Sequence, residues 1–277
     1  MSNVGVEIIK CDQVYSEIVE DYILFMKKEK EIADTTINTR ISHIRAYFYF
    51  CFEKGYMPYF KISLMKIQKP IKQAYTDNEV EILLKKPDMS VTTFEEYRNW
   101  LVEVFLYDTG VRIKTLVNIL IQDLLFDRNK ILIRVQKNRK ITYIHMSPLL
   151  KEYLQEYLTY RKGNPDDYLF CQANGKTISR DGMRSAIRIY NGRKSISKTS
   201  PHLFRHKHSL DFMEEGGNIA ELQFNLGHSS VKTTELYLQE LGVDVNRSNN
   251  GVSLLENKLK QKINTRLPSA ELIKIRQ

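Results

Sequence analysis

At 277 residues the chain is long enough to bury one large core or two ordinary ones. Its 42% hydrophobic and 27% charged residues fit a globular protein, and no run of about 18 uncharged apolar residues occurs, which excludes a membrane-spanning helix. A formal charge of +9 and a pI near 9.2 favour a polyanionic partner, most simply nucleic acid, with a merely basic protein as the alternative.

Cys11, Cys51 and Cys171 stand far apart and form no C-x-x-C pair. That argues against a disulfide framework and a zinc site and suits a reducing cytoplasm, the expected location. The opening MSNVGVEIIKCDQ has no basic start followed by an apolar run, so no secretory signal is expected.

In chain order, residues 12–55 read as helices. Val14, Ile18, Tyr22 and Phe25 recur at helical spacing, and TTINTRISHIRAYFYFCFEKG gives a clearer stripe of Ile37, Ile41, Ile44, Phe48 and Phe52. Thr35 or Thr36 is placed to cap this second helix, and Gly55 stands where a left-handed stop is wanted. Its other face carries Asn38, Ser42, Arg45 and Tyr49, with Arg40 and His43 nearby. Such a face suits a DNA groove or plain solvent, and the sequence leaves both open.

Periodicity lapses over 66–75, where Lys66, Lys69 and Lys72 surround Pro70. This reads as a basic linker, either tracking a DNA backbone or merely soluble, and sets boundaries at 1–68, a linker at 69–76, and 77–277. Thr76-Asp77-Asn78-Glu79 forms a capping box opening a helix over 77–86. A long helix through FEEYRNWLVEVFLYDTG follows, ending at Thr109-Gly110, and VRIKTLVNIL starts another. LLFDRNKILIRVQKNRKITYIHM, rich in β-branched residues with polar breaks at 127–130 and 137–140, predicts about three antiparallel strands. Ser147-Pro148 opens a helix that Gly163 stops, and residues 180–240 read as helical again. The fold class is therefore mainly α with a small antiparallel sheet, in two domains.

The stretch HLFRHKHSLDFMEEGGNIAELQFNLGHSSVKTTELYLQE holds four of the chain's six histidines, two of them beside one arginine. His202 and Arg205 share a helix face, Gly216-Gly217 breaks the helix, and Gly227 stops the next and presents His228. Thr233 or Thr234 is placed to cap the short helix bearing Tyr237. The offsets are 228 − 205 = 23 and 237 − 228 = 9.

This segment resembles the second signature box of the tyrosine recombinases, the phage-integrase family, through His202, Arg205, Leu226-Gly227-His228 and Tyr237. TGVRIKTL resembles the first box and supplies Arg112, while the sheet turn VQKNRKITYIHM offers Lys137, with Lys140 the competing choice. The resemblance spans roughly residues 12–240 and implies a DNA clamp, with a helical core-type DNA-binding domain before the linker and a catalytic domain after it. It also implies that Tyr237 attacks DNA phosphorus to give a 3′-phosphotyrosyl link, that Arg112 and Arg205 grip the non-bridging oxygens, and that Lys137 protonates the leaving 5′-oxygen. His202 is then a base or relay and His228 a further phosphate donor, with no metal or other cofactor required. His206 and His208 read as structural.

One departure stands out. Where the family usually carries a glutamate, three residues after the first-box arginine, this chain has Thr115, which puts the orientation of Arg112 in question.

Arg40, His43, Arg45, Lys69 and Lys72 are the candidate DNA contacts. The N-terminal side is too short for an additional arm-type domain. A tail from about 242, with Leu254, Leu255 and Leu259 on a short amphipathic helix, suits docking on a neighbouring protomer or in cis. The expected partners are double-stranded DNA and further copies of the chain in a synaptic tetramer, with an accessory protein left open. Integration or excision of a mobile element is the expected task. A type IB topoisomerase and a catalytically silent DNA-binding regulator are the competing functions.

Overall fold

The computed structural model describes residues 13–67, 71–134 and 141–243, so Lys69, Lys137, Lys140 and the tail helix lie outside the described residues. Cα proximity divides the chain into two compact units, Met1–Pro70 and Ile71–Gln277.

In the first unit, α1 (Ser16–Lys28) packs on α2 (Asp34–Glu53). Val19, Met26, Ile37, Ile41 and Ile62 form the core, flanked by Ile23, Ile44, Phe48 and Phe60. The buried stripe of α1 is thus Val19, Ile23 and Met26, rather than the expected one. Tyr22 and Phe25 are exposed at 37% and 40%. Apolar residues ring α1 densely enough for two stripes to have helical spacing, and contact with α2 and Ile62 selects between them. Helix α2 begins at Asp34, one residue after an N-cap Ala33 that gives no side-chain bond, so neither Thr35 nor Thr36 caps it. Gly55 does adopt a left-handed φ of 69°.

Asn38 leaves the polar face of α2. Its amide donates to Met65 O at 2.8 Å and its carbonyl accepts Met65 N–H at 3.0 Å, anchoring the segment that follows the helix. Arg40 reaches Met26 Sδ at 3.8 Å, His43 is exposed and Arg45 half-buried.

The second unit is built around α4 (Phe94–Thr109), a helix buried on most sides through Tyr97, Trp100, Leu101, Phe105 and Leu106. Against it pack α3 (Asp77–Leu84), α6 (Pro148–Arg161), α7 (Arg180–Arg193) and α8 (Pro201–Glu214). The Thr76–Glu79 capping box opens α3, and Ser147 with Pro148 opens α6. Between α4 and α6 lie the four-residue α5 (Ile113–Leu116) and strands β1 (Leu124–Leu125), β2 (Lys130–Ile133) and β3 (Thr142–His145). They form an antiparallel sheet in the order β1-β2-β3, with Leu124 opposite Ile131 and Ile131 opposite Ile144. After α8 come α9 (Ile219–Leu226) and α10 (Val231–Glu240). No described helix is long and apolar enough to cross a membrane.

Four details depart from expectation. VRIKTLVNIL yields only α5, because Ile119 O and Leu120 are taken up by a bridge to the Tyr168–Leu169 strand segment. Lys162, at φ 43°, is the left-handed residue ending α6; a Cβ on the following Gly163 would stand 2.7 Å from Ile121 Cδ1, so that glycine answers crowding. Ser230, not Thr233 or Thr234, caps α10. The expected linker is largely absorbed into the second unit: Tyr75 is 2% exposed, donates to Lys198 O at 3.1 Å and packs on Phe204 with ring centroids 4.5 Å apart. Burial of an aromatic ring outweighs the lysine-rich sequence around it.

Candidate active site

Three helix ends converge in the second unit. Helix α4 closes at Gly110 in the left-handed region, and Arg112 follows as the N-cap of α5. Helix α9 closes on Gly227, also left-handed, which leaves the carbonyl of Leu226 turned away from its own helix. Between them α8 carries Arg205, 4% exposed.

The guanidinium of Arg205 joins these ends. Nη1 donates to Gly110 O at 2.8 Å, and Nη2 donates to Leu226 O at 2.8 Å and to His228 Nε2 at 2.9 Å. Arg112 Nη1 donates to the same Leu226 oxygen at 3.1 Å. Two cations therefore face one carbonyl, and among the described residues no carboxylate pairs with either. Burial, and then Arg112, push Arg205 down to about 10, which still leaves it charged at neutral pH. The orientation left in question by Thr115 is supplied by a backbone carbonyl.

His228 takes its tautomer from its partners. Its Nε2 faces a permanent donor, so the ring proton sits on Nδ1 and is given to Thr234 Oγ1 at 3.0 Å. Burial first, then Arg205 and Arg112, bring its pKa down to about 4, so the ring is neutral at pH 7. In this arrangement His228 accepts from Arg205 and orients it.

Tyr237 lies one turn from the end of α10. Its ring is flanked by His228 at 5.5 Å and His206 at 5.7 Å between centroids, and Arg205 Cζ lies 6.0 Å from its centre. The hydroxyl is buried without a hydrogen bond of good geometry. Burial raises its pKa; Arg205 and Ser209, close by, offset that only in part, so the resting phenol holds its proton.

His202 sits in the first turn of α8 on the exposed side, its pKa lowered by burial and by Arg205, His206, Arg184 and Arg112. The neutral ring can accept a proton. His206, set aside in the sequence reading, is half-buried against Tyr237 and donates Nδ1–H to Gln73 O at 2.8 Å. Its signal was its place directly after Arg205. His208 is structural: it donates to Tyr107 O at 2.7 Å, stacks on Phe212, and abuts Gly110. Lys72 bonds Glu240 Oε2 and lies 5.5 Å from the Tyr237 ring centre, bringing a linker residue into the site. Arg112, Arg205, His228 and Tyr237 are thus brought together, while Lys137 lies outside the described residues.

A mostly helical unit with a small sheet, gathering two guanidiniums, neutral histidines and a buried phenol, is the frame of a phosphoryl-transfer enzyme. The chain belongs to the phage integrase family, whose family model matches residues 73–242, and is a tyrosine-type site-specific recombinase. It is 29% identical to the tyrosine recombinase XerA of Pyrococcus furiosus over 89% of this chain and 85% of that protein. It is 31% identical to XerD of Staphylococcus epidermidis, over 71% of this chain and 69% of that one. Among solved structures it resembles the Tn1549 transposon integrase in complex with transposon right end DNA, with a TM-score of 0.68 and 20% identity over 94% and 88% of the two chains. It likewise resembles XerH bound to its difH substrate, with a TM-score of 0.68 and 19% identity over 88% and 73%. These likenesses agree with the mainly α fold and its small antiparallel sheet.

Proposed function

We propose that the chain cuts and rejoins double-stranded DNA through Tyr237. The observation that carries this reading is the pair of guanidiniums sharing the Leu226 carbonyl beside a buried phenol, a charge arrangement suited to a phosphodiester's non-bridging oxygens. Tyr237 Oη attacks phosphorus, the bond to the 5′-oxygen breaks, and a 3′-phosphotyrosyl ester forms. The phenolic proton passes to a neutral histidine, His202 with His206 beside it, and the leaving 5′-oxygen takes a proton from Lys137. Religation runs the same steps backward, the ester conserving the bond energy. Arg40, His43, Arg45, Lys69 and Lys72 are offered as backbone contacts, with Asn38 withdrawn to its structural role.

The biological reading is integration or excision of a mobile element by a tetramer on DNA, acting in the cytoplasm; the likeness to a transposon integrase supports it. The test is covalent trapping: incubate the protein with fragments of its genomic neighbourhood, denature, and sequence the ends of attached DNA. Attachment at discrete sites, abolished in Tyr237→Phe with DNA affinity nearly unchanged, is the expected result. Salt-sensitive binding with no covalent DNA would replace this reading by a silent regulator, and attachment without site preference by a topoisomerase.

A further inference from the structure

Residues 71–75 run as an extended strap whose successive residues are tied to different parts of the catalytic unit. Lys72 N–H donates to Glu240 O at 2.8 Å, and its ammonium bonds Glu240 Oε2 at 2.5 Å. Gln73 O accepts from His206 Nδ1 at 2.8 Å, and Ala74 O accepts from Lys198 Nζ at 3.1 Å. The side chain of Ile71 lies against Gly242, just past α10. The strap therefore holds the last turn of α10 and one of the two imidazoles flanking Tyr237, while the Lys72 ammonium stands over the Tyr237 ring.

The two ends of the strap are held with different strength. The Tyr75 end is anchored by burial and by bonds to Lys198 and Asn191. The Lys72 end is held by the backbone bond to Glu240 O and by an ion pair whose side chains are 41% and 30% exposed. Such exposed pairs are weak and are screened by salt. A DNA phosphate reaching Lys72 can compete with Glu240 for the ammonium.

We infer that Lys72 and Glu240 are positioning residues for the nucleophile: paired, they clamp α10 and Tyr237 in the resting cleft, and transfer of the Lys72 ammonium to a DNA phosphate loosens that clamp to the backbone bond alone. The inference rests on the reading of Tyr237 as nucleophile. Binding of DNA by the segment joining the two units is thereby coupled to freedom of the catalytic phenol. Lys72 changes its carboxylate for a phosphate and no covalent bond is altered.

The test uses the full chain with 3-fluorotyrosine placed at position 237, read by its fluorine resonance, with a short random-sequence duplex as the DNA probe. Lys72→Met and Glu240→Gln should move the resonance to a common position. The duplex should carry the unmutated protein's resonance toward that position while leaving Glu240→Gln where it is. In single-turnover trapping on a duplex carrying a site recovered by covalent trapping of the unmutated protein, at equal DNA occupancy, Glu240→Gln should form the covalent adduct up to about fivefold faster, the rate equivalent of a pair worth about 1 kcal/mol. Resonances unmoved in folded variants, a resonance unmoved on DNA binding, or a slower Glu240→Gln would each overturn the clamp. Covalent DNA persisting in Tyr237→Phe would instead refute the nucleophile assignment, leaving the fluorine result to stand on its own.

Discussion

Arg205→Lys is the substitution that bears most directly on the site. Arg205 is 4% exposed and serves Gly110 O, Leu226 O and His228 Nε2 at 2.8, 2.8 and 2.9 Å. A lysine keeps the charge, but a single ammonium cannot reproduce a planar fork that spans three acceptors on two chain segments. Leu226 O would retain Arg112, so Gly110 O and His228 Nε2 are the acceptors at risk. Leaving a buried polar group unsatisfied costs about 1–3 kcal/mol, so losing one predicts destabilisation of about 1–3 kcal/mol and losing both about 2–6 kcal/mol. Removing a donor aimed at developing charge typically lowers rate by about 10²–10³, and His228 is misoriented as well. Two assays separate these effects: urea unfolding for stability, and single-turnover covalent trapping on saturating DNA for chemistry. A folded Arg205→Lys protein that traps DNA within a factor of about three of the unsubstituted rate would refute the claim that the guanidinium fork organises the site.

Gly110→Ala tests the convergence from the other side. At φ 63° a Cβ is strained, and it would stand 2.5 Å from His208 Cδ2, in a ring held by Tyr107 O and Phe212. The expected loss is about 2–4 kcal/mol with trapping impaired, measured by denaturant unfolding; a neutral outcome would show that His208 can move aside. The acid limb of stability tests the buried imidazoles. His208 has its pKa pushed down to about 4, chiefly by burial, with a hydrogen bond from Nδ1–H to Tyr107 O opposing that shift. A depressed histidine favours the folded state above its unfolded pKa of about 6.5, and that contribution is lost as pH falls from there toward 4. Replacing His208 by Asn, which can keep the bond to Tyr107 O, should flatten the stability profile between pH 6.5 and 4, as followed by thermal melts across that range. An unchanged slope would assign the acid limb to other groups.

Much of the site was legible in the sequence because its residues stand at fixed offsets on short, well-punctuated helices. Thr76 to Glu79 announced α3, Gly110 and Gly227 marked the stops that present Arg112 and His228, and Ser147-Pro148 opened α6. Local chemistry governs such features: caps, left-handed glycines and apolar spacing act within a few residues, so a linear reading captures them. What local chemistry underdetermined, the sequence left ambiguous. Two apolar stripes on α1 satisfied the same period, and contact with α2 chose Val19 and Met26. Asn38 looked like part of a groove-facing surface until the backbone of Met65, 27 positions away, took both ends of its amide.

The roles of the imidazoles were likewise decided in three dimensions. His228 accepts at Nε2 because Arg205 donates to it, and His206 joined the site because the Tyr237 ring of α10 packs against it. Lys72 read as a linker cation and is bound to a carboxylate at the far end of the catalytic unit. Residue types and spacings determined which chemistry this chain could perform. Only the fold, by closing three helix ends on one carbonyl and drawing a strap across the end of α10, decided which nitrogen donates, which accepts, and which charge stands over the tyrosine.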